Sequence, residues 1–193
     1  NSLRMRPDII ILGEIRRQKE AEVLFEAMHT GHSVYSTVHA DTANETIRRL
    51  TNPPINIPPP MLSSVNLNVV MFRDRKRGLR RVFQVAEFLP GKETFTANLI
   101  YRWLPDKDVF IKHNKSLSFF EDLSRNTGMD EREISNELKK KLIIFDWLLK
   151  NKIRDLESFG KVMNLYYTDK ERLASIIKNN KISEIVEKKE EIF

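Results

Sequence analysis

The sequence predicts a mixed α/β portion followed by a small all-helical portion. Three observations carry that expectation. The first 40 residues read strand, helix, strand with short connections, the βαβ pattern that favours a parallel sheet. Residues 67–112 hold several β-like runs parted by turn residues. From Ser116 onward the strand signal fades and apolar residues recur at helical spacing.

Asp8 to Glu14 is short, Ile-rich and continuous, which predicts a strand buried on both faces. Arg16 to Thr30 places Ala21, Leu24, Phe25 and Met28 on one helical face, and Gly31 stands where a helix-terminating glycine belongs. Ser33 to His39 predicts a second strand. Asp41 or Thr42 then caps a helix from Ala43 to Leu50. "TNPPINIPPP", Thr51 to Pro60, is too rich in proline for a helix or a central strand. Met61 to Val65 reads as a short helix. Strands follow at Leu67–Phe72, Leu79–Phe88, Thr94–Leu104 and Val109–Lys112, forming an antiparallel set.

The character changes near Asn114, so the expected domains are 1–113 and 114–193. Ile134, Leu138, Leu142, Phe145 and Leu149 share one face of a long helix from Asp130 to Lys150, capped by Asp130. Two further helices are expected over Asp155–Tyr166 and Thr168–Asn179, the second begun by a Thr-x-x-Glu capping box at 168–171. The tail "EKKEEIF" is expected to fray.

A chain of 193 residues can bury a real core. Its hydrophobic share of 40% and charged share of 31% describe a globular protein. No apolar run approaches the roughly 18 residues that span a bilayer. With no cysteine there is no disulfide and no thiolate metal site, which fits a reducing compartment. The net charge of +6 is concentrated in "RDRKRGLRR", Arg73 to Arg81, a run able to meet phosphate or an acidic partner, or simply to solvate a hairpin tip. The chain opens "NSLRMRPD", and the expectation is that an upstream part is missing.

In open α/β sheets ligands gather at the carboxyl ends of parallel strands. Glu14 and His39 both stand at that end. Gly13 leaves room for a ligand beside the backbone. A carboxylate there can orient a water, and an imidazole opposite can hydrogen-bond a phosphate oxygen. Two other readings stay open on the residues alone. One is a metal-dependent hydrolase using His29, His32, His39 and Glu14, although no second carboxylate has fitting spacing. The other is a non-catalytic module binding nucleic acid or an acidic partner through the basic run, although Phe72 and Phe83 look like strand-core residues and not a stacking platform.

"LRMRPDIIILGEIR" and "TGHSVYSTVHADTANETIRRL" together resemble the type II and type IV secretion-system ATPases, the family of secretion, pilus and archaeal flagellum motors. Leu3, Arg4, Pro7, Asp8, Gly13, Glu14, Ile15 and Arg16 match its Walker B segment. Thr30, Gly31, His32, Ser36, Thr37, His39 and Ala40 match its histidine box. The "RMRPD" form, the proline-rich stretch and, more weakly, "KKKLIIFDWLLKN" look most like archaeal members. Arg6 and Arg17 depart from the acids that bacterial members often carry.

The resemblance implies the C-terminal part of a RecA-like P-loop NTPase core, followed by the helical region. It implies Glu14 as the water-positioning glutamate and His39 as the contact to the γ-phosphate. Gly13, Arg16, His32, Thr37 and Arg4 become candidates for nucleotide or ring contacts, with no protein metal site. ATP and Mg2+ are the implied cofactors of the full-length protein. Implied too are a hexamer, a membrane platform protein as partner, no specific nucleic acid, and a cytoplasmic place at the inner face of the membrane. No G-x-x-x-x-G-K-[ST] loop occurs; "GKET" at Gly91 lacks the upstream glycine. Without such a phosphate cradle, this polypeptide alone is expected to be inactive.

Overall fold

The computed structural model describes residue 5 and residues 7–92 and 94–186. The expectations for Leu3, Arg4, Arg6 and the "EKKEEIF" tail therefore lie outside the described residues. The chain divides into two compact units, 1–127 and 128–193. The first is mixed α/β and the second is helical, in the order read from the sequence. The sequence changes character at 113/114; helix α3 (Ser118–Thr127), just beyond that point, stands with the first unit.

In the first unit β1 (Ile9–Leu12), α1 (Gln18–His29) and β2 (Ser33–Ser36) form the βαβ unit. β1 and β2 pair in parallel, from Ile9 opposite Ser33 to Leu12 opposite Ser36. α1 buries Ala21, Leu24, Phe25 and Ala27. Its first turn is held by Glu20, whose carboxylate accepts from the backbone N–H of Arg16 and of Arg17 at 3.1 and 3.3 Å. It stops at Gly31, which takes φ +90°, a conformation that costs glycine little.

The expectation that β1 is buried on both faces is overturned. Ile10, Leu12 and Val34 pack onto the core beside α1. Ile9, Ile11 and Tyr35, on the opposite face, are 54%, 77% and 63% exposed. The sheet has only two strands among the described residues, and one helix can cover only one of its faces. An Ile-rich run marks what a strand is made to bury, not whether both covers are present.

α2 (Ala43–Thr51) is capped by Thr42, whose hydroxyl accepts from the Glu45 N–H at 3.1 Å. The proline-rich stretch is irregular, yet it delivers Ile55 and Ile57 into the core with Ile47, Leu50, Leu62 and Phe88. A 3-10 turn at Pro59–Ser64 follows. Then β3 (Asn68–Asp74), β4 (Leu79–Pro90), β5 (Phe95–Leu104) and β6 (Val109–Lys112) form an antiparallel sheet in chain order. α2 seats on this sheet. Its first N–H, from Ala43, donates to the buried Gln84 Oε1 at 2.9 Å, and Asn44 Oδ1 accepts from the Ala97 N–H. Gly91 closes the β4–β5 turn, where an added Cβ would lie 2.5 Å from the Thr94 carbonyl oxygen.

The second unit comprises α4 (Glu131–Lys150), α5 (Leu156–Thr168), α6 (Lys170–Lys178) and a 3-10 turn at Ile182–Glu184. Asp130 caps α4 as expected, accepting from the Glu133 N–H at 2.8 Å. The unit has its own core, including Trp147, Leu148, Val162, Tyr166 and Ile176. Two expectations are corrected here. Of the predicted α4 stripe only Ile134 is buried; Leu138, Leu142, Phe145 and Leu149 are exposed, and the helix instead buries Ile144, Trp147 and Leu148. The α6 cap is also one residue later than the Thr-x-x-Glu pattern places it. Thr168 ends α5 with its hydroxyl on the Asn164 carbonyl, and Asp169 accepts from the Arg172 N–H at 3.0 Å. A carboxylate prevails over a neighbouring hydroxyl at a helix N-terminus because it is charged. No helix among the described residues is long and apolar enough to cross a membrane.

Candidate functional site at the ends of β1 and β2

Beyond its last ladder pair the parallel sheet continues as two single hydrogen bonds. Ile15 N–H donates to the Thr37 carbonyl at 2.9 Å, and the Thr37 hydroxyl donates to the Gly13 carbonyl at 2.5 Å. These bonds hold the two strand exits side by side. Glu14, between Gly13 and Ile15, and His39, two residues past Thr37, therefore project into the same space.

Their side chains touch. His39 Nε2 lies 3.2 Å from Glu14 Oε1. Arg16 grips the other oxygen, with Nε and a terminal nitrogen 2.8 and 2.7 Å from Glu14 Oε2. The Glu14 side chain is 22% exposed, whereas Arg16 and His39 are 71% and 80% exposed. A recessed carboxylate thus lies beneath two accessible nitrogen-bearing groups. The Arg16 hydrogen bond holds the Glu14 carboxyl below its ordinary range. Partial desolvation opposes this, and the charges of Arg16, His39 and Arg49 reinforce it. Such a carboxylate stays ionised at neutral pH. It is a poor proton acceptor but a firm hydrogen-bond acceptor, suited to orienting a water more than to deprotonating one.

The other residues that the sequence offered for this site separate. A Cβ built on Gly13 would meet nothing within 4 Å, so the backbone beside Glu14 lies open. Thr37 is committed to Gly13. His32 does not join Glu14: its Nδ1 sits 3.1 Å from the Thr30 hydroxyl and 3.3 Å from the Ala27 carbonyl oxygen, closing the end of α1. His29 Nδ1 lies 3.0 Å from the Phe25 carbonyl oxygen one turn back on α1. The histidines are thus spent on different tasks, and among the described residues no group of three His, Cys, Asp or Glu could hold a metal ion. Arg4 lies outside the described residues.

Two residues that matter carry no obvious mark in the sequence. Arg49, on α2, adds positive potential at Glu14. Glu87, on β4, is fully buried. It accepts from the N–H groups of Leu117, Ser118 and Phe119 at 2.6, 3.1 and 3.0 Å, and from Asn98 Nδ2 at 2.7 Å. Burial pushes its carboxyl upward, but these donors outweigh burial and bring it down to about 2. The one available signal is a lone acid inside the apolar run "VAEFL"; its partners at Leu117, Ser118 and Phe119, far along the chain, are not readable from it. In the basic run, Arg77 is held by Asp74. Arg81 forms a two-pronged pair with Asp108 at 2.8 and 2.7 Å, and the Trp103 indole N–H donates to the same carboxylate. Part of that positive charge is therefore structural.

Residues 1–77 match the family described as type II/IV secretion system protein. The uncharacterized protein MJ0900 of Methanocaldococcus jannaschii is 36% identical over 176 residues, which are 86% of this chain and 31% of that protein. The type IV pilus assembly ATPase PilB of Pseudomonas aeruginosa is 43% identical over 77 residues, 38% of this chain and 13% of that protein. The X-ray structure of the Legionella pneumophila ATPase DotB aligns over 93% of this chain and 40% of its own, at 18% identity and a TM-score of 0.34, too low a score to inform the arrangement. The chain thus spans less than a third of the length of MJ0900 and a smaller share of PilB.

Proposed function

We propose, from the membership of residues 1–77 in the type II/IV secretion system protein family, that this chain forms one wall of an ATP-hydrolysing site in a secretion or pilus motor. The reading is supported above all by the contact of Glu14 with His39 at the exits of two parallel strands. The name of the relative PilB, an assembly ATPase, supports the reaction class.

In this reading Glu14 orients the attacking water and His39 faces the terminal phosphate. When bound, the nucleotide with its Mg2+ supplies the phosphoryl group; this chain supplies a fixed acceptor and a movable donor. Both Glu14 oxygens are engaged, one by Arg16 and one by His39. An anion seated above the exits competes for His39 and frees Oε1 for water. Arg16 keeps the carboxylate aimed during that exchange. Mg2+ is ordinarily carried by the nucleotide phosphates and water with one or two carboxylates; among the described residues no group of three His, Cys, Asp or Glu could hold a metal ion by itself. The α/β unit is then the C-terminal part of a RecA-like core. Assembly into a ring, work against a membrane platform protein and a peripheral cytoplasmic place belong to the same proposal, as does division of labour between 1–113 and the helical 114–193.

The test is made in a protein that also carries a P-loop. Glu14→Gln should lower ATP turnover by about a hundredfold or more while nucleotide affinity holds. His39→Ala should lower turnover and leave ADP affinity nearly unchanged, because ADP lacks the phosphate that the ring faces. Turnover unchanged in Glu14→Gln would reject the assignment.

A further inference from the structure

Helix α4 carries two apolar faces, and its own unit buries only one of them fully. Ile134, Ile144, Trp147 and Leu148 are buried. Leu138, Leu142, Phe145 and Leu149 are 42%, 61%, 44% and 63% exposed. Their spacing alternates four and three, the repeat of a two-helix seam, and at 1.5 Å per residue the stripe runs about 16 Å. An apolar stripe this regular on a charged helix is not the scatter of single exposed residues that ordinary surfaces show.

We propose that this stripe is a self-association surface on which α4 of a second copy lies antiparallel. The order of the residues is what selects a second copy. When the helix is laid against itself head to tail, Leu138 meets the partner's Leu149 and Leu142 meets the partner's Phe145, and the same contacts repeat across the two-fold axis. Large apolar side chains face each other in every layer. The charges flanking the seam fit the same register. Lys139 and Asp146 hold equivalent flanking positions one heptad apart, and in an antiparallel pair such positions face each other. Lys139 then lies beside the partner's Asp146, and Asp146 beside the partner's Lys139, so one arrangement forms two opposite-charge contacts.

Both flanking groups are open to such a contact. Of the three consecutive lysines, Lys140 pairs with Glu137 and Lys141 lies over the Tyr166 ring at 5.7 Å. Lys139 and Asp146 are exposed and enter no ion pair among the described residues. A parallel pairing would instead bring each flank against the opposite one. Asp146 would then face the partner's Lys141, already drawn to Tyr166, and Lys139 would face the partner's buried Ile134 and gain no opposite charge. Two faces of this length bury less than the roughly 1,200 Å² of a standard stable interface. Association is therefore weak, with a Kd on the order of 100 μM.

Sedimentation of the full chain from about 10 μM to about 1 mM, the range that brackets such a Kd, tests this. The expected result is a monomer at the low end converting to a dimer. Leu142→Glu sits on an exposed position and should keep its circular dichroism spectrum. It should weaken association by about tenfold or more, because a charge would enter the seam. Lys139→Asp should also weaken it, and Lys139→Asp with Asp146→Lys should restore it by exchanging the charges. A chain monomeric throughout overturns the proposal and leaves the stripe to some other occupant, and a Leu142→Glu chain that associates like the wild type overturns it equally. A Lys139→Asp chain without effect, or a double variant no tighter than the single one, overturns the antiparallel register.

Discussion

Arg16 lowers the pKa of the Glu14 carboxyl, and Glu87 fastens the start of α3; the first carboxylate is partly exposed and the second fully buried. At Glu14 the lowered pKa means that the favourable contact with Arg16 is present above the ordinary glutamate value and is lost as pH falls through the lowered one. In Arg16→Ala the Glu14 carboxyl should therefore titrate at higher pH, which carboxyl-detected NMR reads directly. At Glu87 the fall from 4.5 to about 2 places the loss of its stabilising contribution in the window between those values. Glu87→Ala removes a buried acceptor from three backbone N–H groups at once. It should cost about 3 kcal/mol or more of stability in urea. Glu87→Gln should flatten the acid transition, since nothing at 87 then titrates. A Glu87→Gln chain that acid-unfolds like the wild type would refute the role. The meeting of Glu14 with His39 was legible because strand, helix, strand order already implied neighbouring strand exits. Glu87 was not legible: burial of a charge depends on distant donors, and spacing carries no trace of them.

Helix limits were legible where a cap and a periodic face agreed, and shifted where two caps competed. Thr42 and Asp130 are caps at the positions expected. At the start of α6 the sequence offers Thr168 and Asp169 in succession, and the acid takes the N-terminus. Asp169→Ala should cost about 1 kcal/mol, whereas Thr168→Ala should cost much less; equal losses would restore the threonine as the cap. The burial of α4 was misread for a different reason. Periodicity reports that a face is apolar, and α4 has two such faces (Leu138–Leu149 and Ile144–Leu148), so the pattern alone could not say which one the unit uses. The proline-rich stretch is irregular over 52–58 as expected, whereas its ends are not: Thr51 closes α2 and Pro59 and Pro60 open the 3-10 turn, where proline's fixed φ suits a first helical turn. Its isoleucines still sit in the core, because a loop can be irregular in backbone and bury side chains.

For the molecule as a whole, the order of an α/β unit before a helical one was visible in the switch from strand-like to helical periodicity. The helical unit holds its own core, centred on Trp147, Val162 and Tyr166, and its caps are internal to it. Residues 128–186 expressed alone should therefore keep their helical circular dichroism and a cooperative thermal transition. A featureless coil spectrum would show that the unit leans on the rest of the chain. The β1–β2 pair has a different consequence. Among the described residues neither β1 nor β2 pairs with a third strand, and an open strand margin is a template for further pairing. Thioflavin-positive aggregation should grow with concentration, and Ile11→Lys should slow it without disturbing the packing of α1.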